Sequence, residues 1–277
     1  MKYIFFDIDG TLFSHSEGIS QSTVEALRMA KENGHKIFIN TGRSLAELGE
    51  SFAQFNFDGY VLAAGSHIII EGKTIFEQTI DHDKVLELLD YLESHKVGLG
   101  IEGEKFTYFS DDAFEGYRKK VYEVIDQVLE TEPSPYEPYN YMIHPKYVRR
   151  VSDFLEHPNK VYKMLIYGTS VEENMVIKEK LPEGFDLLVY QNSFCELINA
   201  STNKATGIEE VVKYYGASME DTIAIGDSLN DLDMIKAAGL GVAMGNSSQP
   251  VKDAADYITD DVKEDGIYNC LKKYGII

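Results

Sequence analysis

The chain has 277 residues, 44% of them hydrophobic, enough to bury the core of one large or two modest globular domains. Its formal net charge of −20 makes a field that repels nucleic acid and anionic membrane surfaces, so neither is an expected partner. A small anionic substrate would need a local cation to be held.

The first strand is Tyr3 to Phe6, a short apolar run that ends abruptly in Asp7-Ile8-Asp9-Gly10-Thr11-Leu12. Its four apolar residues are too few for a signal-peptide core, and no later apolar run approaches a membrane span. Cys195 and Cys270 are far apart with no C-x-x-C spacing, so both are expected as reduced thiols in a cytoplasmic protein. The histidines form no H-x-x-x-H pair, and a zinc site is not expected.

Ser22-Thr23-Val24-Glu25 reads as a capping box opening a helix that stops at Gly34. Lys36 to Asn40 is the second strand, followed by Thr41-Gly42-Arg43-Ser44 and a helix from about Leu45. Strand, small polar turn and helix together suit an oxyanion cradle, although a plain helix cap at Ser44 explains the same residues. Tyr60 to Ala64 continues as a strand, and Ser66 to Ile70 with Lys73 to Gln78 reads as a hairpin around Glu71-Gly72, which mixes antiparallel pairs into the sheet.

From His82 the texture changes to a helix with Val85, Leu88, Leu89 and Leu92 on one face, and then a hairpin over Val97 to Ser110. A helical stretch to about Glu130 leads into an irregular connection holding Pro133, Pro135, Pro138, Pro145, Tyr136, Tyr139 and Tyr141. These tyrosines suit either a ligand-facing wall or simple packing of the loop. Strands over Val161 to Tyr167 and Phe185 to Gln191, with a helix over about Val171 to Leu181 between them, complete an α+β unit.

The chain is then expected to re-enter the first domain around Ser193 to Asn199. Lys204 opens a helix carrying Ile208, Val211 and Val212. A cation there opposes the helix dipole, and a bound anion accounts for it better than packing does. Lys163 is its rival, inside an apolar strand. Thr222 to Ile225 is a further buried strand that runs directly into Gly226-Asp227-Ser228-Leu229-Asn230-Asp231, repeating the strand-end arrangement of Asp7. Leu240 to Met244, Tyr257-Ile258 and a helix near Gly266 to Tyr274 close the chain.

The carboxyl ends of parallel strands share one edge, where open α/β sheets bind ligands. Asp7 and Asp9, Thr41, and Asp227, Asn230 and Asp231 can therefore converge there with Lys204. Asp7 and Asp9, two positions apart, are expected to face one polar pocket. Close carboxylates need a cation between them or a retained proton, and an oxygen-only donor set favours Mg²⁺.

Asp-x-Asp-Gly-Thr, a strand-terminal Thr, a Lys and Gly-Asp-x-x-Asn-Asp, in this order, resemble the complete motif set of the haloacid dehalogenase (HAD) superfamily. The insertion between the Thr and Lys motifs resembles the type C2B cap of its Cof-like phosphatase subfamily. The resemblance implies an α/β fold: a Rossmann-like, mainly parallel core over 1–81 and 193–277, with an inserted α+β cap over 82–192. It also implies that Asp7 is the nucleophile forming an aspartyl phosphate, and that Asp9 is the acid that protonates the leaving oxygen and then activates water. Mg²⁺ would be held by the Asp7 carboxylate, the Asp9 backbone carbonyl and Asp227, with Asp231 orienting the shell. Thr41, Gly42, Lys204 and Asn230 would hold the transferring group.

The implied activity is Mg²⁺-dependent hydrolysis of small phosphorylated metabolites, sugar phosphates first among them, with no obligate protein partner. A sugar phosphomutase and a non-catalytic phosphometabolite-binding regulator are the alternatives. One departure stands out: relatives usually carry Asn-Gly after the third strand, where this chain has Ala64-Gly65.

Overall fold

The computed structural model describes residues 1–14, 16–48, 52–93, 97–116, 119, 147–190 and 194–277. The proline- and tyrosine-bearing connection, and most of the helical stretch expected before it, lie outside the described residues; residues 111–116 are helical. The chain divides into two compact units, one of Met1–Arg43, Glu50–Glu77 and Thr202–Ile277, the other of Ser44–Gly49 and Gln78–Ser201. Strands are numbered β1 to β14 in chain order.

The first unit is built on an eight-stranded sheet. Its strands are β1 (Tyr3–Phe6), β2 (Lys36–Asn40), β3 (Gly59–Leu62), β4 (His67–Ile70), β5 (Lys73–Glu77), β12 (Thr222–Gly226), β13 (Leu240–Ala243) and β14 (Tyr257–Ile258), in the order β14-β13-β12-β1-β2-β3-β4-β5. Pairing is parallel from β14 to β3 and antiparallel from β3 to β5, the mixture expected of a Glu71-Gly72 hairpin. Strands β1 and β12 are buried along their whole length, which is why each reads as a continuous apolar run rather than an alternating one. Phe5 stacks on Phe38 with ring centroids 4.9 Å apart, and Ile208, Val211 and Val212 of the helix Lys204–Tyr215 complete this side of the core.

The first helix, Gln21–Glu32, starts earlier than its expected box: Ser20 is the N-cap and its side chain accepts from Thr23 N. Ser20 can reach the Thr23 N–H, three residues on, from extended backbone outside the helix, whereas Ser22 already lies within the first turn. The helix ends at Asn33, and Gly34 follows at φ +82°, a left-handed conformation that glycine adopts without strain. A short helix, Gln249–Ala254, was not foreseen in the sequence.

The second unit holds a six-stranded sheet of β6 (Gly98–Gly103), β7 (Thr107–Phe109), β8 (Val148–Arg150), β9 (Val161–Tyr167), β10 (Phe185–Tyr190) and β11 (Phe194–Asn199), ordered β10-β11-β9-β6-β7-β8. The helices His82–Glu93, Val151–Glu156 and Val171–Lys180 accompany it. Strand β11 corrects the expected re-entry point: it pairs antiparallel with β10 and β9 instead of joining the first sheet. The cause is its alternation, since Cys195 and Leu197 are fully buried in this unit's apolar core, beside Leu99, Ile101, Met164 and Ile166. No helix among the described residues is long and apolar enough to cross a membrane.

Candidate active site

The site is assembled at the carboxyl ends of β1, β2 and β12 in the first unit. Asp7 follows β1 directly, and its N–H continues the parallel ladder by donating to Ile225 O at 3.0 Å. Thr41 follows β2 in the same way, donating its N–H to Val61 O at 2.9 Å. Asp227 follows β12. Strand pairing fixes all three ends together, because the register aligns Phe6 with Ile225 on one side and with Ile39 on the other.

Lys204 is the centre of the arrangement. Its side chain is 1% exposed and its Nζ donates to Asp7 Oδ1 and to Asp231 Oδ1, each at 2.6 Å. A longer contact of 3.5 Å reaches Asn230 Oδ1. The lysine is the first residue of its helix, capped by Asn203, and its carbonyl is held by Asn40 Nδ2 at 2.9 Å. Cation and dipole, unfavourable to each other in sequence, are thus reconciled by two carboxylates from other strand ends.

Asp231 is fully committed. Its Oδ1 faces Lys204, while its Oδ2 accepts from Asp227 N at 3.0 Å, Ser228 N at 2.9 Å and Ser228 Oγ at 3.1 Å. It thereby shapes the 227–231 turn. Asp7 and Asp227 keep one oxygen each clear of these bonds: Asp7 Oδ1 is taken by Lys204, and Asp227 Oδ1 accepts from Thr11 Oγ1 at 3.2 Å. Gly10, at φ +85°, lets the loop pass this close, for a Cβ there would lie 2.4 Å from Asp227 Oδ2.

Asp7, Asp227 and Asp231 offer carboxylate oxygens that all lie within 4.8 Å of one another. One lysine cannot neutralise three carboxylates. Burial first, then the Asp231 charge, pushes the Asp7 carboxyl well above its ordinary range, and the same two causes raise Asp227 to about 7. These groups either retain protons or share a cation. A buried, oxygen-only donor set with an uncompensated negative charge fits a hard divalent ion.

Thr41 is buried, its Oγ1 accepts from Arg43 N at 3.2 Å, and a Cβ on Gly42 would stand 4.0 Å from Asn230 Nδ2, so the Thr41-Gly42 turn and Asn230 are neighbours. Asp9 is not one of the three whose oxygens lie within 4.8 Å of one another. Its charge still bears on Asp7 and Asp227, raising both, but its carboxylate is engaged by Arg43. Arg43 Nε reaches Asp9 Oδ2 at 2.9 Å and Nη2 reaches Oδ1 at 2.6 Å, a two-pronged grip. Arg43, Thr11 and Ser228 join the site through their contacts with Asp9, Asp227 and Asp231. All three stand inside the motifs quoted from the sequence, Thr11 after Gly10, Arg43 in the Thr-Gly-Arg-Ser turn and Ser228 after Asp227, but no role for them is legible there.

A family model described as haloacid dehalogenase-like hydrolase matches residues 4–271. The chain belongs to this family. It is an enzyme of the phosphatase kind, similar along its whole length to bacterial phosphatases. Phosphatase YwpJ of Bacillus subtilis is 28% identical over 295 residues, spanning 98% of this chain and 99% of its own. The 5-amino-6-(5-phospho-D-ribitylamino)uracil phosphatase YcsE of the same organism is 28% identical over 288 residues, covering 99% and 96%. Among solved structures, the HAD subclass IIB sugar phosphatase BT4131 superposes with a TM-score of 0.79 at 29% identity, covering 100% of both chains. The resemblance of the motif set to HAD phosphatases of the Cof-like type is thereby borne out, as is the Rossmann-like α/β fold class.

Proposed function

We propose that this HAD phosphatase hydrolyses small phosphorylated metabolites, sugar phosphates first among them, in the cytoplasm with Mg²⁺ as its cofactor, and that the inserted unit serves as a C2B-type cap. The observation that carries the reading is Asp7: a buried carboxylate at a strand end, held by Lys204 at 2.6 Å and crowded by Asp227 and Asp231. The sugar-phosphatase neighbour supports the substrate class.

Asp7 attacks phosphorus in line, the ester P–O bond breaks, and Asp9 gives its proton to the departing oxygen. Asp9 then takes a proton from water as that water attacks the aspartyl phosphate, which releases inorganic phosphate and restores Asp7. Arg43 holds Asp9 beside the site through its two-pronged contact, and one Asp9 oxygen leaves that contact to carry the proton in each step. Lys204, Thr41, Gly42 and Asn230 gather the phosphoryl oxygens, and Asp231 keeps Lys204 and the 227–231 turn in place. Asp7, Asp227 and the Asp9 carbonyl would hold Mg²⁺, which when bound neutralises charge on the transferring group.

Asp7→Asn is the direct test. It should abolish hydrolysis of p-nitrophenyl phosphate while leaving the circular dichroism spectrum unchanged, and turnover retained by the variant would remove Asp7 from its role. A panel of phosphorylated metabolites ranks the substrates, and a preference for non-sugar esters would refute the substrate assignment.

A further inference from the structure

The second unit has a buried lysine of its own. Lys163 lies in the middle of β9, 2% exposed, and its Nζ meets Glu196 Oε1 at 2.8 Å, Glu102 Oε1 at 3.0 Å and Glu47 Oε2 at 3.8 Å. Two of these glutamates come from the strands on either side. Glu102 of β6 is directly opposite Lys163, and Glu196 of β11 pairs with Leu165, two residues along and on the same face. The third, Glu47, belongs to the short helix Leu45–Leu48, which follows immediately on Thr41-Gly42-Arg43.

That position is where the chain changes units: Arg43 packs with the first and Ser44 with the second. Glu47 Oε2, the oxygen that faces Lys163, also accepts the Ser44 N–H at 3.2 Å, and Ser44 Oγ accepts the Glu47 N–H at 3.4 Å. This is a reciprocal cap, with Ser44 wholly buried. On the other side of the Arg43–Ser44 peptide, Arg43 O accepts from Ala63 N at 2.8 Å, while the Arg43 guanidinium grips Asp9. Each side of the peptide is bonded within its own unit.

A charge cluster this deeply buried is a poor route to stability, since apolar side chains of similar volume commonly do as well or better. Burial first, and then the Glu47 charge, drives the Glu102 carboxyl well above its ordinary range, which leaves Lys163 to Glu196 and Glu47. The net effect is a glutamate at 47 whose carboxylate is held by Lys163 and Ser44 together. Neither the HAD motifs nor the chemistry at Asp7 uses it.

We propose that Lys163, with Glu102 and Glu196, is a positioning residue for the phosphate-binding turn Thr41-Gly42-Arg43, acting through Glu47 and the Ser44 N–H. The proposal rests on the reading of that turn as a phosphate cradle. It separates the tie from the cap: the helix cap needs only Ser44 and Glu47, whereas the orientation of Glu47 needs the lysine.

The full chain tests it in two variants. Glu47→Gln keeps an acceptor for Ser44 but loses the charge that Lys163 holds. A triple variant, Lys163→Met with Glu102→Leu and Glu196→Leu, removes the cluster without stranding a charge and keeps the cap. In both, hydrogen–deuterium exchange at the amides of 41–44 should quicken by about tenfold or more. Turnover of p-nitrophenyl phosphate with Mg²⁺ should fall about tenfold to a hundredfold in kcat while the melting transition stays cooperative. Glu47→Gln added to the triple variant should change neither readout further, because both changes act on one path. Lys163→Arg should retain most of the activity. Unchanged exchange at 41–44 in either folded variant overturns the proposal and leaves Lys163 a structural residue; if the triple variant fails to fold, Glu47→Gln decides alone. Absence of turnover in the unmodified protein would sink the phosphatase reading instead, and the exchange measurement would still decide the role of Lys163.

Discussion

Asp227→Asn should make the protein more stable, provided that no divalent ion is present. In the folded chain burial and the Asp231 charge lift the Asp227 carboxyl from its ordinary 3.8 to about 7. At about 1.4 kcal/mol per pH unit, that shift corresponds to about 4 kcal/mol. The sign follows from proton counting. Below pH 3.8 the group is protonated in folded and unfolded chains alike and contributes nothing. As pH rises to about 7 the unfolded chain releases its proton first, so folding stability falls across this window and then levels off. Asparagine carries no such penalty and can still accept the Thr11 Oγ1 hydrogen bond. The metal-free variant should match the parent near pH 4 and exceed it by about 4 kcal/mol above neutrality. Mg²⁺ should stabilise the parent increasingly as pH rises, and the variant hardly at all. The chain has no tryptophan, so urea titrations followed by far-ultraviolet circular dichroism are the suitable assay. A variant no more stable than the parent at pH 7 to 8, after chelation of all metal, would refute the electrostatic account of this site.

Removing the cation has the opposite effect. Lys204→Met leaves Asp7 and Asp231 uncompensated in the core and should cost about 3–5 kcal/mol at neutral pH, the usual cost of orphaning a buried charge. Part of that loss should return on acidification, as protonation relieves Asp7, whose carboxyl burial holds well above its ordinary range; urea midpoints at pH 5 and 7.5 check it. Arg43→Lys cannot reproduce the fork on Asp9, so kcat for p-nitrophenyl phosphate should fall at least about tenfold. Its stability should change by less than about 1 kcal/mol, because the pair is partly exposed. Ala64→Asn should raise stability by about 1 kcal/mol, because Ala64 is held at φ +51° and ψ +45°, a left-handed conformation that asparagine tolerates better than alanine. A fall in its thermal midpoint would count against backbone strain at this position.

The departure at Ala64 illustrates what the sequence made legible and what it did not. The missing asparagine was visible, but its consequence depends on a backbone conformation shared with Ala63 at φ +48°, which no run of residue types announces. The parallel sheet was legible because β1 and β12 are uninterrupted apolar runs that stop at Asp7 and Asp227. Strand β11 was misplaced because alternation such as Cys195 and Leu197 shows that a strand has one buried face without showing which sheet it joins. The same limit hid Arg43, Thr11 and Ser228, whose side chains act through contacts with residues from 2 to 216 positions away.

The two buried lysines show why residue type alone could not separate them. Each is all but inaccessible and surrounded by carboxylates, and in sequence Lys163 rivalled Lys204. The difference lies in what the surrounding acids can do with excess charge. Around Lys163 the surplus is relieved within the cluster, because burial and the Glu47 charge drive the Glu102 carboxyl well above its ordinary range. Around Lys204 the Asp231 oxygens are committed to Lys204 and to the turn, while Asp7 and Asp227 each keep an oxygen clear of those bonds. A closed network holds its own geometry and can serve to fix something else. An open one with surplus negative charge is suited to a cation. The proposed roles of Lys204 and Lys163 both rest on that asymmetry, and it predicts that divalent ions will protect the amides around Asp7 and Asp227 from exchange while leaving those around Glu102 and Glu196 unchanged.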